Sequence, residues 1–178
     1  MPWEMSAIVP REPPHRLREL HLRALQIAVS DIGKGEQGSN NRGPYIERIR
    51  SVDGTGRGPA GAGAWCACFA SACLIRAAVE LDYILPVRTT RSAQALYKRT
   101  GRIGTFSAEP LPGDLICWRR TNDAGDWRGH VGLVEFVEGG RVHTVEGNRG
   151  KFPSRVARYG YDLQRELNRK LLGFSRLY

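Results

Sequence analysis

Gly63-Ala64-Trp65-Cys66-Ala67-Cys68-Phe69-Ala70 places a cysteine at the point where a glycine-rich stretch becomes an apolar helix. The helix should run from about Ala64 to Leu81. Its residues from Trp65 to Val79 are apolar on nearly all sides, which places it in the core rather than on the surface. Upstream, residues 51–63 are rich in glycine and form a flexible approach to the cysteine. Downstream lie Gly129-His130-Val131-Gly132 and Thr144-Val145-Glu146-Gly147-Asn148, both in strand-like sequence.

Further helices are expected over 16–31, where apolar Leu17, Leu20, Leu22, Leu25, Ile27, Ala28 and Val29 recur at broadly helical spacing, over 45–50, and over about Ser92–Arg99. Gly33 and Gly35 end the first of these. Pro112-Gly113-Asp114 turns into a strand over Leu115–Arg119. Residues 130–137 and 141–146 read as a hairpin, and strands near 155–159 and 171–177 complete a sheet. Helices first and strands later is the α+β pattern. Residues 1–15 are proline-rich without periodicity and read as an irregular arm, leaving 16–178 as one domain. At 178 residues such a chain buries about 70% of its unfolded surface.

Composition narrows the function classes. The longest apolar run is short of the ~20 residues that span a bilayer. Met1-Pro2-Trp3-Glu4-Met5-Ser6 lacks the basic and apolar regions of a secretory leader, so synthesis without that export tag is expected. The net charge is +9, which favours a polyanionic partner such as a wall or outer-membrane polymer, an anionic lipid or a nucleic acid. The aromatics do not interleave with basic residues as a base-stacking platform requires, and no nucleic-acid-binding motif is present. Of the four cysteines, Cys66, Cys68 and Cys73 fall in one helix and Cys117 in a strand. Cys66 and Cys68 point in different directions, and two turns separate Cys66 from Cys73. There is no CxxC pair, so reduced thiols are expected, with no metal or cofactor.

Cys66 is the candidate nucleophile, because a helix N-terminus supplies partial positive charge and free N–H groups that favour a thiolate. Cys68, Cys73 and Cys117 read as small buried hydrophobes. His130 is the candidate general base, with His143 the alternative in the hairpin. Glu146 or Asn148 would hydrogen-bond the far nitrogen of His130 and fix its tautomer. This requires a register that sets His130 opposite Asn148 and Gly132 opposite Glu146, and hence an odd loop, Glu138-Gly139-Gly140. A two-residue Gly139-Gly140 turn without a bulge would put the pair on opposite faces.

Four stretches in order carry a resemblance: Trp65-Cys66-Ala67-Cys68-Phe69, Pro112-Gly113-Asp114-Leu115, Gly129-His130-Val131-Gly132 and Val145-Glu146-Gly147-Asn148. Asn40-Asn41-Arg42-Gly43-Pro44-Tyr45 and the closing Gly173-Phe174-Ser175-Arg176 extend it. Together they resemble the CHAP family, the cysteine, histidine-dependent amidohydrolases/peptidases related to the NlpC-type branch of papain-like enzymes. The resemblance implies a papain-like α+β fold and hydrolysis of an amide bond in peptidoglycan, either the sugar–peptide bond or one within the stem or cross-link. It implies Cys66 as nucleophile, His130 as base, Glu146 as orienting acid and Asn148 as a further polar partner. Trp65, Asn41, Tyr45 and Trp127 are expected to line the cleft. Many relatives are phage lysins or virion-associated wall hydrolases, and delivery to the wall by a phage or a secretion system is the expectation. A secretion-system amidase toxin and a non-catalytic basic module on the same fold are the alternatives. Some relatives bind calcium through clustered aspartates near the cysteine. Val52-Asp53-Gly54-Thr55-Gly56 offers a single acid, so no calcium site is expected.

Overall fold

A computed structural model of the chain describes residues 15–61, 63–104, 109–121, 125–126, 128–167 and 170–177. Among them the helices are α1 (His15–Ser30), α2 (Pro44–Ser51), α3 (Cys66–Glu80), α4 (Ala93–Arg99) and α5 (Leu163–Leu167). The strands are β1 (Arg102–Gly104), β2 (Leu115–Arg119), β3 (Gly129–Glu138), β4 (Arg141–Glu146), β5 (Ala157–Asp162) and β6 (Leu171–Ser175). They form one antiparallel sheet in the order β1-β6-β2-β3-β4-β5. The class is α+β, as the order of helix and strand patterns predicts. β1 and α5 are additions too short to give a periodic signal. The proline-rich segment 1–14 lies outside the described residues, and His15 opens α1.

The two faces of the sheet separate the core into two clusters. Leu115, Cys117, Val131, Leu133 and Val145 point toward the helices and pack with Leu20, Phe69 and Leu74. Their alternates Ile116, Trp118, Val134, Val142 and Phe174 gather on the other face with Tyr161. This is the period-2 alternation of strands buried on both sides. α3 is the central helix, with Phe69 and Leu74 both fully buried. Burying a side chain of that size stabilises by about 1.5–3 kcal/mol.

Pro112-Gly113-Asp114-Leu115 has a structural duty. Asp114 is 0% exposed and takes a bidentate pair from Arg176, Nε to Oδ1 at 2.7 Å and Nη2 to Oδ2 at 2.6 Å. It also accepts the N–H of Leu111. Gly113, at φ 90°, lets the chain pass within 2.4 Å (from a notional Cβ) of the His21 carbonyl on α1. The motif thus fastens the start of β2 to the end of β6 and to α1.

The β3–β4 hairpin corrects the expected loop. Glu138 pairs with Arg141, so the turn has two residues, Gly139 and Gly140, at φ 55° and 77°. Two positive-φ residues are what a primed two-residue hairpin turn requires. Phe136 faces His143, yet Val134 faces Thr144 and Leu133 faces Val145: the register shifts at Glu135. That bulge restores on the far side the parity that the turn alone would break. The Glu135 side chain leaves the sheet to meet Arg158 of β5, with Nε 2.8 Å from Oε2.

Gly147 follows β4, and a Cβ there would stand 2.3 Å from Cζ3 of Trp65, itself 0% exposed. Gly147→Ala should therefore cost about 1–3 kcal/mol by overpacking. Chemical denaturation of the variant checks this, and an unchanged midpoint would show that Trp65 yields freely.

Candidate active site

Cys66 is the first residue of α3, and the position before it is held by Trp65 with no capping hydrogen bond from its side chain. Ser, Thr, Asn or Asp at that position would satisfy one of the free N–H groups of the first turn, worth about 1 kcal/mol. The first turn holds no acidic residue either. The uncapped donors and positive helix end stay directed at the thiol, 3% exposed.

His130 contacts both neighbours. Its Nε2 is 2.6 Å from Oε2 of Glu146, and its ring acts on the Cys66 thiol through charge and hydrogen bonding. With Nε2 committed to Glu146, Nδ1 is the nitrogen left for the thiol. Burial pushes the Cys66 thiol up, but the hydrogen bond and charge of His130, with the N–H groups of Val131 and Ala67, bring it below the ordinary thiol value. Burial likewise pulls His130 down, and its bonds to Cys66 and Glu146 overcome this and raise it to about 9. Both shifts favour a thiolate–imidazolium pair.

Glu146 is 0% exposed. Its Oε1 accepts from the hydroxyls of Thr144 and Tyr161, and its Oε2 from His130 and, at 3.5 Å, from Arg149. Burial would raise this carboxyl, and the hydrogen bond and charge of His130 hold it below its usual value. Arg149 also lies over the rings of Tyr161 and Trp118, 4.8 and 6.0 Å from their centroids. Trp118 in turn packs beside His130, with ring centroids 5.6 Å apart. His130 therefore sits between an aromatic wall and a carboxylate whose oxygens are fully engaged.

The other expected site residues divide. Asn148 is not opposite His130, because β4 ends at Glu146 and Asn148 turns to φ 61°. It lines a lobe of the cleft of about 400 Å³ with His130 and Asn41. Its Nδ2 is buried with no hydrogen-bond partner among the described residues. Asn41 is therefore at the cleft, but Trp65 and Tyr45 are not. Trp65 is fully buried, packed edge-on to Tyr45 and Phe69, with its indole N–H given to Glu36 at 3.1 Å. The Tyr45 hydroxyl donates to Asp31, and its ring borders a separate hollow with Arg48 and Arg155. Trp65 adjoins Cys66 in sequence and Tyr45 packs against it, so both lie behind the cysteine and not in the cleft. Trp127 lies outside the described residues. His143 stacks on Phe136 at 4.3 Å, away from Cys66.

Sequence reading missed the supports. Thr144 was within reach, since it precedes Glu146 by two on the same strand face. Tyr161 lay beyond the expected end of β5. Glu36 is 2% exposed and accepts from the N–H groups of Asn41 and Ser154 as well as from Trp65, tying three loops behind the cysteine. Arg50, equally buried, donates to the carbonyls of Asn41, Gly61 and Gly63 and so fixes the glycine-rich approach. Neither has a local sequence signal, because their partners are distant in the chain. Asp53 takes Arg91 on Oδ2 and the N–H and hydroxyl of Thr55 on Oδ1. Cys68, Cys73 and Cys117 are buried and unpaired by disulfides.

The family model for the CHAP domain matches residues 58–148, more than half of the chain, and the span takes in Cys66, His130, Glu146 and Asn148. A solved structure described as similar to a lipoprotein of the NLP/P60 family, from Staphylococcus aureus subsp. aureus Mu50, is 20% identical with a TM-score of 0.48. The alignment covers 96% of this chain and 44% of that one. The crystal structure of Ly7917 is 19% identical with a TM-score of 0.46, covering 88% of this chain and 62% of its own. Ly7917 with the hydrolyzing product of MDP gives 18% and 0.46. The chain thus spans less than two thirds of the length of these solved proteins. No curated protein matches it in sequence. By the family model over residues 58–148, the chain belongs to the CHAP domain family.

Proposed function

We propose that this protein is a cysteine-dependent hydrolase of an amide bond in peptidoglycan. The observation that carries the reading is the chain of contacts from Cys66, at an uncapped helix start, through His130 to a buried Glu146. Membership of the CHAP family supports peptidoglycan as the substrate class.

In this reading the Cys66 thiolate attacks the amide carbonyl carbon and forms a tetrahedral oxyanion. Free N–H groups at the start of α3 are suited to hold that oxyanion. The C–N bond then breaks as the His130 imidazolium gives its proton to the leaving amine. The neutral imidazole next takes a proton from water, whose oxygen attacks the thioester carbonyl. Collapse releases the carboxylic acid, which loses its proton to solvent, and restores thiolate and imidazolium. Glu146 keeps the ring oriented and its charge balanced throughout. Phage lysis and secretion-system delivery would each bring such an enzyme to the wall.

The test is loss of turbidity of purified sacculi. Brief treatment with iodoacetamide near neutral pH should abolish it, and peptide mapping should find the label on Cys66 alone. Burial pushes the Cys68 thiol up to about 11 and raises Cys73 and Cys117 as well, so only Cys66 offers a thiolate. Clearing that survives complete alkylation of Cys66 would rule out thiol chemistry here.

A further inference from the structure

Glu146 holds more than His130. Its Oε2 accepts from Nε2 of His130 at 2.6 Å and from Nη1 of Arg149 at 3.5 Å. Its Oε1 accepts from the hydroxyls of Thr144 and Tyr161. A carboxylate offers about four acceptor positions, so all are taken. Two cationic donors therefore share one oxygen of a buried carboxylate.

Arg149 is held there by contacts that do not involve Glu146. Its guanidinium lies 4.8 Å from the ring centroid of Tyr161, 5.1 Å from that of Tyr159 and 6.0 Å from that of Trp118. All three rings are within cation–π reach. The carbonyl of Arg149 accepts from the Ser154 hydroxyl at 3.0 Å, which fixes the backbone. The side chain is 39% exposed and lines the cleft lobe of about 400 Å³ that His130 also lines. A flat guanidinium can lie over rings and still direct one N–H at a carboxylate, which an ammonium cannot do as well.

The other groups facing the His130–Glu146 pair are Cys66 on α3, Trp118 on β2, Tyr159 and Tyr161 on β5 and, across the lobe, Arg120. Burial raises both tyrosines, so they stay neutral. Arg120 is exposed, and solvent screens its charge. Among the described residues, Arg149 is thus the permanent cation in contact with the pair.

The sign of its effect follows. A carboxylate beside an imidazole favours the charged ring, and a second cation on the same oxygen opposes this. Without Arg149, Oε2 would belong to His130 alone, and the ring would hold its proton more firmly. A firmly held proton is a poor one to give to a leaving amine. Resting on the function proposed above, we infer that Arg149 is a positioning residue that sets the acid strength of His130: by sharing Oε2 of Glu146 it keeps the imidazolium able to protonate the leaving amine. It acts through Glu146 and needs no contact with substrate.

The pH profile of sacculus turnover and an NMR titration of the His130 ring test this. In Arg149→Gln the alkaline limb should move up by about one pH unit, and kcat at neutral pH should fall about 3- to 10-fold with KM little changed. Arg149→Lys keeps the charge and should return the limb toward its wild-type position. Arg149→Met keeps an apolar stem over the rings and repeats the test should Arg149→Gln not fold. The NMR titration is made in the Cys66→Ala background, because the thiol and the imidazole otherwise titrate as a pair. There the His130 ring should titrate at higher pH with Arg149→Gln than without it, a readout that needs no turnover. A limb and a ring titration that stay in place while activity falls would show that Arg149 only packs the site, and would overturn the inference. A shift to lower pH would overturn it too, since Arg149 would then support the charged ring. Neither result touches the amide-hydrolase reading, which falls if the wild-type protein releases nothing from sacculi in a Cys66-dependent way.

Discussion

Replacing Cys66 by alanine should lower turnover of sacculi by roughly 10⁴-fold or more, because Cys68, the other thiol lining the cleft among the described residues, is pushed up to about 11 by burial and so offers no thiolate. The protein should still fold. The change removes one small buried side chain from a helix start and creates little volume. The melting temperature should stay within a few degrees of the wild type, so lost activity cannot be assigned to unfolding. Cys66→Ser is the sharper control: it keeps the shape, but a hydroxyl does not ionise at neutral pH, so it too should be inactive. A Cys66→Ala protein with more than a tenth of wild-type turnover would remove the assignment of nucleophile. The wild-type pH profile adds a second check. Activity requires the thiolate and the imidazolium together. Its acidic limb should lie below the ordinary thiol range, since Cys66 is lowered, and its alkaline limb near 9, where His130 loses its proton.

Glu146→Gln should have the second-largest effect, lowering kcat by about 10²–10⁴-fold. The carboxylate charge favours a protonated His130, so its removal moves the alkaline limb to lower pH. A less charged His130 in turn favours the thiolate less, so the acidic limb moves up. The plateau should narrow from both sides, an outcome that simple misplacement of the ring would not produce. There is also a stability cost. The hydroxyls of Thr144 and Tyr161 both donate to Oε1 of Glu146. His130 takes the other oxygen, Oε2, and an amide offers one acceptor oxygen in place of two, so either the hydroxyls or His130 lose their acceptor, at about 1–3 kcal/mol. A Glu146→Gln profile of unchanged width would show that Glu146 is a structural acid and not the partner that sets the charge on His130.

The sequence carried the local features well. The apolar run after Cys66, the alternation in β2 and the hairpin strands each record burial in a fixed period, which needs no knowledge of the partner. β2 lies at Leu115–Arg119 as the pattern predicts. The roles expected of Trp65 and Tyr45 were decided differently. Both are aromatic, and only packing against Phe69, Gly147 and Glu36 turns Trp65 inward. Asn148 looked like a strand neighbour of Glu146, until a left-handed backbone at the end of β4 took it out of register.

What the sequence determined by itself was the chemistry and its order: a thiol at a helix start, an imidazole opening a strand, a carboxylate on the strand after it. Those depend on residue type and on short-range period, which are written locally. The tertiary structure decided whether the three could meet. The Gly139-Gly140 turn alone would have set His130 and Glu146 on opposite faces, and the bulge at Glu135 reverses that. A bulge is set by competing pairings across three strands, with Glu135 drawn to Arg158 of β5. The lining of the cleft likewise comes from residues between 40 and 150 that only the folded chain brings together. A sequence of residue types names the groups proposed to react, but distances between remote segments exist only once the sheet and helices are packed.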